Sequence, residues 1–132
     1  MDENLFKQRT KQLALRFIDI VDALPKKRTA DVIGRQLIRS GTSIGANYRA
    51  ACRGKSTADV IAKLRIVEEE ADESAYWMEL LIELRLLPEA RLSELLRETN
   101  EIIAMTVASI RTLQKPDRGS PINRQSKIEN LK

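Results

Sequence analysis

Apolar residues recur along this chain at the three-four spacing of an α-helix in four successive stretches, separated by proline, glycine or short polar turns. In the first, from about Asn4 to Leu24, Phe6, Leu13, Phe17, Ile20 and Leu24 share a face, with Thr10 in the remaining place. Pro25 disfavours helical geometry in the residue before it, so Lys26, Lys27 and Arg28 read as a short connection. The second stretch, Thr29 to Arg53, puts Ala30, Ile33, Leu37, Ile44, Tyr48 and Ala51 on one side. It also contains Gly34, Gly41 and Gly45, and a glycine inside a helix costs about 1 kcal/mol relative to alanine. Three of them imply either close approach by a neighbouring backbone or a break near Gly41. We read a continuous helix. Gln36, Ser40 and Asn47 fall towards its core side, where each needs a hydrogen-bond partner to offset desolvation.

Gly54 and Lys55 end that helix, and Ser56 followed by Asp59 has the spacing of an N-terminal capping motif, with Asp in place of Glu or Gln. A third helix is therefore predicted from Thr57 to about Leu87, before Pro88. It carries two apolar stripes: Val60, Leu64, Val67, Ala71, Ala75, Met78 and Ile82 on one face, and Ile66, Trp77, Leu80 and Leu84 roughly 130° away. One buried face cannot account for both, and an uncovered second stripe is an aggregation liability. Ile66, Trp77, Leu80 and Leu84 are accordingly the expected oligomer interface. The fourth helix, Glu89 to Leu113, buries Leu92, Leu95, Leu96, Ile102, Ile103, Ile110 and Leu113, with Pro88 suited to its first turn. Short connections make neighbouring helices antiparallel. The expected architecture is all-α: an up-down-up-down four-helix bundle over residues 1–115, followed by a disordered, weakly basic tail over 116–132.

Composition agrees with this. The chain has 132 residues, 5 Gly and 4 Pro, too few breakers for the many turns of an all-β fold. Cys52 is alone, which excludes an intrachain disulfide. The absence of a signal-like start or of any run of about 18 apolar residues leads us to expect a cytoplasmic protein without a membrane partner.

Charge changes the picture more. The net charge is +4, but residues 1–65 carry 14 Lys+Arg against 6 Asp+Glu, whereas residues 66–115 carry 5 against 11. Five arginines, Arg28, Arg35, Arg39, Arg49 and Arg53, fall within about 80° of one another on the second helix. Arginine offers phosphates a planar bidentate fork, and Arg28 to Arg53 spans roughly 38 Å at 1.5 Å per residue. This stripe is the candidate nucleic-acid-binding surface. The competing readings are that it solubilises the helix, or pairs with the acidic run Glu68-Glu69-Glu70-Ala71-Asp72-Glu73, in the same chain or in a neighbouring subunit.

Catalysis has little to stand on. With no histidine, the commonest general base and metal ligand is missing, and no glycine-rich phosphate loop is present. Cys52 reads as a packed small residue. The acidic run lies away from the Val60–Leu64–Val67 face, so an inward-facing metal site is disfavoured, and no catalytic residue, metal or cofactor is expected. Tyr76 and Trp77 sit in an acidic neighbourhood that argues against base stacking.

The run from Gln36 through Arg39, Ser40, Ser43, Ile44 and Asn47, followed later by Glu73-x-x-x-Trp77-x-Glu79-Leu80-Leu81, resembles the four-helix-bundle proteins named after the intervening sequences of bacterial 23S rRNA genes. The similarity covers about residues 5 to 115. It departs after Asn47, where Tyr48-Arg49-Ala50-Ala51-Cys52-Arg53-Gly54 replaces a short apolar-Ala-Glu-Gly stretch. The resemblance implies a ring, with homopentamers as the expected form, and a bacterial source. For the related accessory proteins of diversity-generating retroelements it implies nucleic-acid binding and association with a reverse transcriptase. Of the five arginines, only Arg39 stands in the shared motif; the other four rest on helical geometry. The expected function is a non-enzymatic oligomer that binds RNA, or DNA, through its phosphates. The alternative is a protein–protein adaptor or structural ring whose arginines form intersubunit salt bridges.

Overall fold

The computed structural model describes residues 2–116. Four helices account for nearly all of them: α1 Glu3–Asp22, α2 Arg28–Cys52, α3 Thr57–Glu83 and α4 Glu89–Gln114. Among the described residues there is no strand, and no helix is long and apolar enough to cross a membrane. The tail anticipated from residue 116 lies, beyond Pro116 itself, outside the described residues.

The helix starts follow from local chemistry. The Asp2 side chain accepts a hydrogen bond from the Leu5 N–H, and Ser56 Oγ accepts one from the Asp59 N–H at 3.1 Å. Each satisfies one of the donors left without an intrahelical partner in a first turn. Asp59 returns a contact to the N–H of Lys55 rather than of Ser56, a capping box displaced by one residue. Pro88 stands just before α4, at its N-cap, instead of in the first turn.

One boundary differs substantially from the sequence reading. α3 ends at Glu83, not near Leu87. Arg85 takes a left-handed conformation, φ 57°, while the Arg85 N–H reaches Ile82 O and the Leu86 N–H reaches Leu81 O. These two bonds make a Schellman cap, with arginine where glycine is usual. The early turn lets Leu87 fold back under the bundle, where it is buried.

The glycines of α2 are places of close approach, not a break. A Cβ on Gly41 would press into the Phe17 ring, with its Cγ at 2.9 Å, and one on Gly45 would meet Thr10 Oγ1 at 3.1 Å. At Gly34 the neighbours are Val21 and Leu24. Rising numbers on α1 thus meet falling numbers on α2, with the two helices packed backbone to side chain along their length. α2 runs unbroken through all three glycines.

The core lies between the four helices, with Phe17, Leu37, Ile44, Val67, Met78, Leu81, Leu92 and Ile102 fully buried. Each such side chain stabilises the fold by about 1.5–3 kcal/mol relative to exposure. Of the three polar residues placed on the core side of α2, only Ser40 is buried. Its hydroxyl is hydrogen-bonded to that of Ser74 at 2.8 Å, which joins α2 to α3, and Ser74 Oγ also lies 2.9 Å from Glu70 O within α3. Gln36 and Asn47 are half-buried at the margin, where Gln36 accepts from Arg39 Nε and Asn47 donates to Ser43 O. The sequence reading missed a clamp between α1 and α4: half-buried Arg9 bonds Glu98 through Nε and Nη2, at 3.0 and 2.6 Å, and Glu101 at 2.9 Å. Burial opposes the charge on Arg9, but the hydrogen bonds to Glu98 and then Glu101 outweigh it, so its pKa rises.

Candidate nucleic-acid interface

Helical geometry confines the five arginines to one arc of α2, but neighbouring helices on either side of that arc differ in charge. Arg39 sits at the edge nearer α3. Its guanidinium meets Glu70 at 3.3 Å and Glu73 more closely. The hydrogen bond to Glu73 is the chief reason its pKa is raised. The acidic run of α3 therefore neutralises this arginine within the chain, as the competing sequence reading allowed. Arg35 is paired with Asp31 one turn back at 2.7 Å, although both remain well exposed. Arg28, Arg49 and Arg53 are exposed, and no ion pair to any of them occurs among the described residues.

Towards α1 the surroundings are basic. A cleft of about 470 Å³ runs between the first half of α1 and the second half of α2. Lys7, Lys11 and Arg49 line it, with Asn4, Gln8 and Thr42 as uncharged polar groups; its floor is formed by Thr10, Ala14, Gly45 and Ala46. None of its lining residues is a carboxylate. Lys7 is shared with Glu3, 3.1 Å away at its outer edge. Lys11 has no such partner among the described residues. The same small residues that allow α1 and α2 to pack closely also keep this floor free of bulk.

A second cleft, about 690 Å³, opens at the α1–α2 turn and is lined by Lys26, Lys27, Arg28 and Arg35, together with Asp31 and the apolar Val21, Leu24 and Ile38. At 100° per residue, Arg28, Ile38 and Arg49 fall within about 80° on α2, as Val21, Lys7 and Lys11 do on α1. Both clefts thus lie along the groove between α1 and α2, one towards each end, with no lining residue in common. Lys7 and Lys11 were absent from the sequence-stripe reading, which followed one helix at a time. Their signal was two lysines one turn apart beside Ala14, opposite the small residues of α2.

Cys52 is half-buried beside Tyr48 at the end of α2. Burial, then the negative charge of Glu3, pushes its thiol up to about 11, the reverse of what nucleophilic activation needs. Of the expected oligomer contacts, Ile66, Trp77 and Leu80 are half-buried within the chain and Leu84 is exposed, as is Tyr76. Trp77 and Leu80 pack against the core from its side. Trp77 Nε1 is inaccessible yet has no hydrogen-bond partner among the described residues.

These features define an all-helical four-helix bundle with a basic groove between its first two helices. The chain belongs to the 23S rRNA-intervening sequence protein family, whose description matches residues 2–108. Its fold is similar to the crystal structure of a protein of unknown function from the S23 ribosomal protein family of Bacteroides thetaiotaomicron. The two share 35% identity with a TM-score of 0.79 over 85% of this chain and 100% of that one. No curated protein matches the chain.

Proposed function

We propose that this chain is a non-enzymatic, oligomeric bundle that binds nucleic acid, RNA foremost, through phosphate contacts along the α1–α2 groove. The observation that carries the proposal is the cleft lined by Lys7, Lys11 and Arg49 without a carboxylate. Charges of one sign in a concave site between low-dielectric walls reinforce each other's field, and a polyanion is the natural counter-charge. Lysine and arginine give phosphate contacts that position a strand without reading its bases. The preference for RNA rests on the family to which the chain belongs. Compared with the arginine stripe alone, the groove leaves Arg39 and Arg53 outside the binding set and adds Lys7, Lys11, Lys26 and Lys27.

The test is binding of a structured RNA at low salt by the intact protein and by Lys11→Glu with Arg49→Glu. The double variant is expected to lose at least about tenfold in affinity, with a shallower salt dependence, since each lost phosphate contact lowers the slope of log K against log salt by about 0.9 on a duplex. Unchanged affinity in a folded double variant refutes the groove as the binding surface.

A second reading, a structural or adaptor ring, draws on exposed Tyr76 and Leu84 and on Trp77 Nε1 of α3, which has no hydrogen-bond partner among the described residues. In that case the intact protein binds no RNA, and Leu84→Glu on α3, rather than the groove variant, dissociates the oligomer, read by sedimentation.

A further inference from the structure

The two clefts between α1 and α2 differ in what lies among their cations. In the cleft that holds Arg49 the apolar lining residues are Ala14 and Ala46, both small. The cleft at the α1–α2 turn has instead a floor of Val21, Leu24 and Ile38, each half-buried, with exposed Lys26, Lys27 and Arg28 at its rim. Val21 and Leu24 also pack against the core, and a Cβ on Gly34 would meet both at 3.1 Å. The floor is therefore set firmly against α2 before any ligand arrives. At about 690 Å³ the cleft falls within the roughly 300–1,000 Å³ of small-molecule sites, which combine apolar walls with a few placed polar groups.

A phosphate backbone alone matches this cleft poorly. Phosphates gain nothing from the apolar floor, and the Asp31 carboxylate, which also lines it, repels them. Both features suit the other parts of a nucleotide. An unpaired base offers flat faces and an edge of hydrogen-bonding groups, and a ribose offers its 2′-hydroxyl. Asp31 meets Arg35 through Oδ2 at 2.7 Å, and a carboxylate has about four lone-pair sites on its two oxygens, so it also accepts from a base edge or a ribose hydroxyl. Among the described residues no aromatic lines the cleft, but guanidinium planes stack on bases as well, and Arg28 and Arg35 both line it. A base held inside a duplex is paired and stacked, out of reach of such a floor.

We infer that the cleft at the α1–α2 turn seats one unpaired nucleotide of an RNA: the base on Val21, Leu24 and Ile38, its edge or its ribose on Asp31, and the flanking phosphates on Lys26 and Lys27. This rests on the nucleic-acid reading above and adds the form of the ligand to it, a structured RNA with an unpaired nucleotide at an end, a bulge or a loop.

The experiment measures fluorescence anisotropy of the full chain, at one fixed low salt concentration, with a labelled blunt RNA duplex, the same duplex carrying a short 3′ overhang, and that overhang with its bases removed and its phosphates kept. The overhang is expected to tighten binding by at least about fivefold over the blunt duplex, and the abasic overhang by no more than about twofold. Ile38→Lys adds a cation while removing part of the floor. A site for phosphates alone would then bind every probe more tightly, whereas the nucleotide seat loses the advantage of the overhang. Asp31→Ala, at an exposed position, is expected to bring the overhang within about twofold of the blunt duplex, even as loss of a carboxylate strengthens binding to both. Circular dichroism checks that both variants are folded. An overhang bound no more tightly than a blunt end, an abasic overhang that keeps the gain, or a gain that survives either substitution overturns the nucleotide seat while leaving the groove as a phosphate-binding surface. Absence of binding to every probe overturns both.

Discussion

Arg39 and Arg49 stand on the same uninterrupted helix and within the same arc of it, yet one faces α3 and the other α1. The α3 side supplies Glu70 and Glu73, which hold Arg39 in place. The α1 side supplies Lys7 and Lys11, which leave Arg49 in a cleft with no lining carboxylate. The seams beneath them differ as well. α2 meets α1 through glycines set against Phe17 and Thr10, and meets α3 through a buried Ser40–Ser74 hydrogen bond with an ion pair above it. Identical side chains on one helix are thus given different work by what the neighbouring helix presents: on one seam a structural clasp, on the other a surface charge available to a ligand.

The largest effect on folding is expected where the α1–α2 approach is closest. Helix propensity alone favours Gly41→Ala by about 1 kcal/mol. Its Cβ, however, would run into the Phe17 ring, and overpacking of this kind costs about 1–3 kcal/mol. We therefore expect a net loss of stability in urea or thermal unfolding. A more stable Gly41→Ala protein would show that the two helices are not held as closely as described.

A smaller effect comes from the thiol at the end of the same seam. Cys52 is raised from 9.0 to about 11, chiefly by burial, so the unfolded chain loses this proton at lower pH than the folded one. Between about pH 9 and 11 the unfolded state therefore binds fewer protons, and stability falls as pH rises. Tyr48, also raised chiefly by burial, adds to the fall at its upper end. Denaturant midpoints across this range should decline less steeply for Cys52→Ala than for the unaltered chain; equal slopes would contradict the burial of this corner.

The smallest effect is expected at the clasp. Arg39 is exposed and its ion pairs are screened, so Arg39→Ala should cost little stability, less still at high salt, and should change RNA affinity by no more than about twofold. A loss of binding comparable to that of the Lys11 and Arg49 double variant would restore the full arginine stripe as the ligand surface.

The helices were legible because their apolar residues keep the three-four period and because Pro25, Gly54 and Pro88 mark the turns. The end of α3 was not, since Arg85 adopts a left-handed conformation that sequence patterns assign to glycine, and Leu87 continues the apolar run after the helix has stopped. The arginine arc was equally readable, but the rule of 100° per residue describes one helix in isolation. It cannot show that Arg39 lies over Glu73 while Arg49 lies beside Lys11, because those pairings depend on which helices flank α2 and in what register. Ser40 shows the same limit from the other side. Its need for a partner was evident, and the partner, Ser74, came from another helix.

Lysine footprinting locates the bound polyanion on the surface: acylate the folded protein with and without a bound structured RNA and read each modified position by mass spectrometry. Protection is expected at Lys7, Lys11, Lys26 and Lys27 along the α1–α2 groove, with Lys63 on α3 and Lys115 after α4 labelled as before. Protection confined to Lys63 and Lys115, with the groove lysines fully reactive, refutes the groove as the nucleic-acid surface.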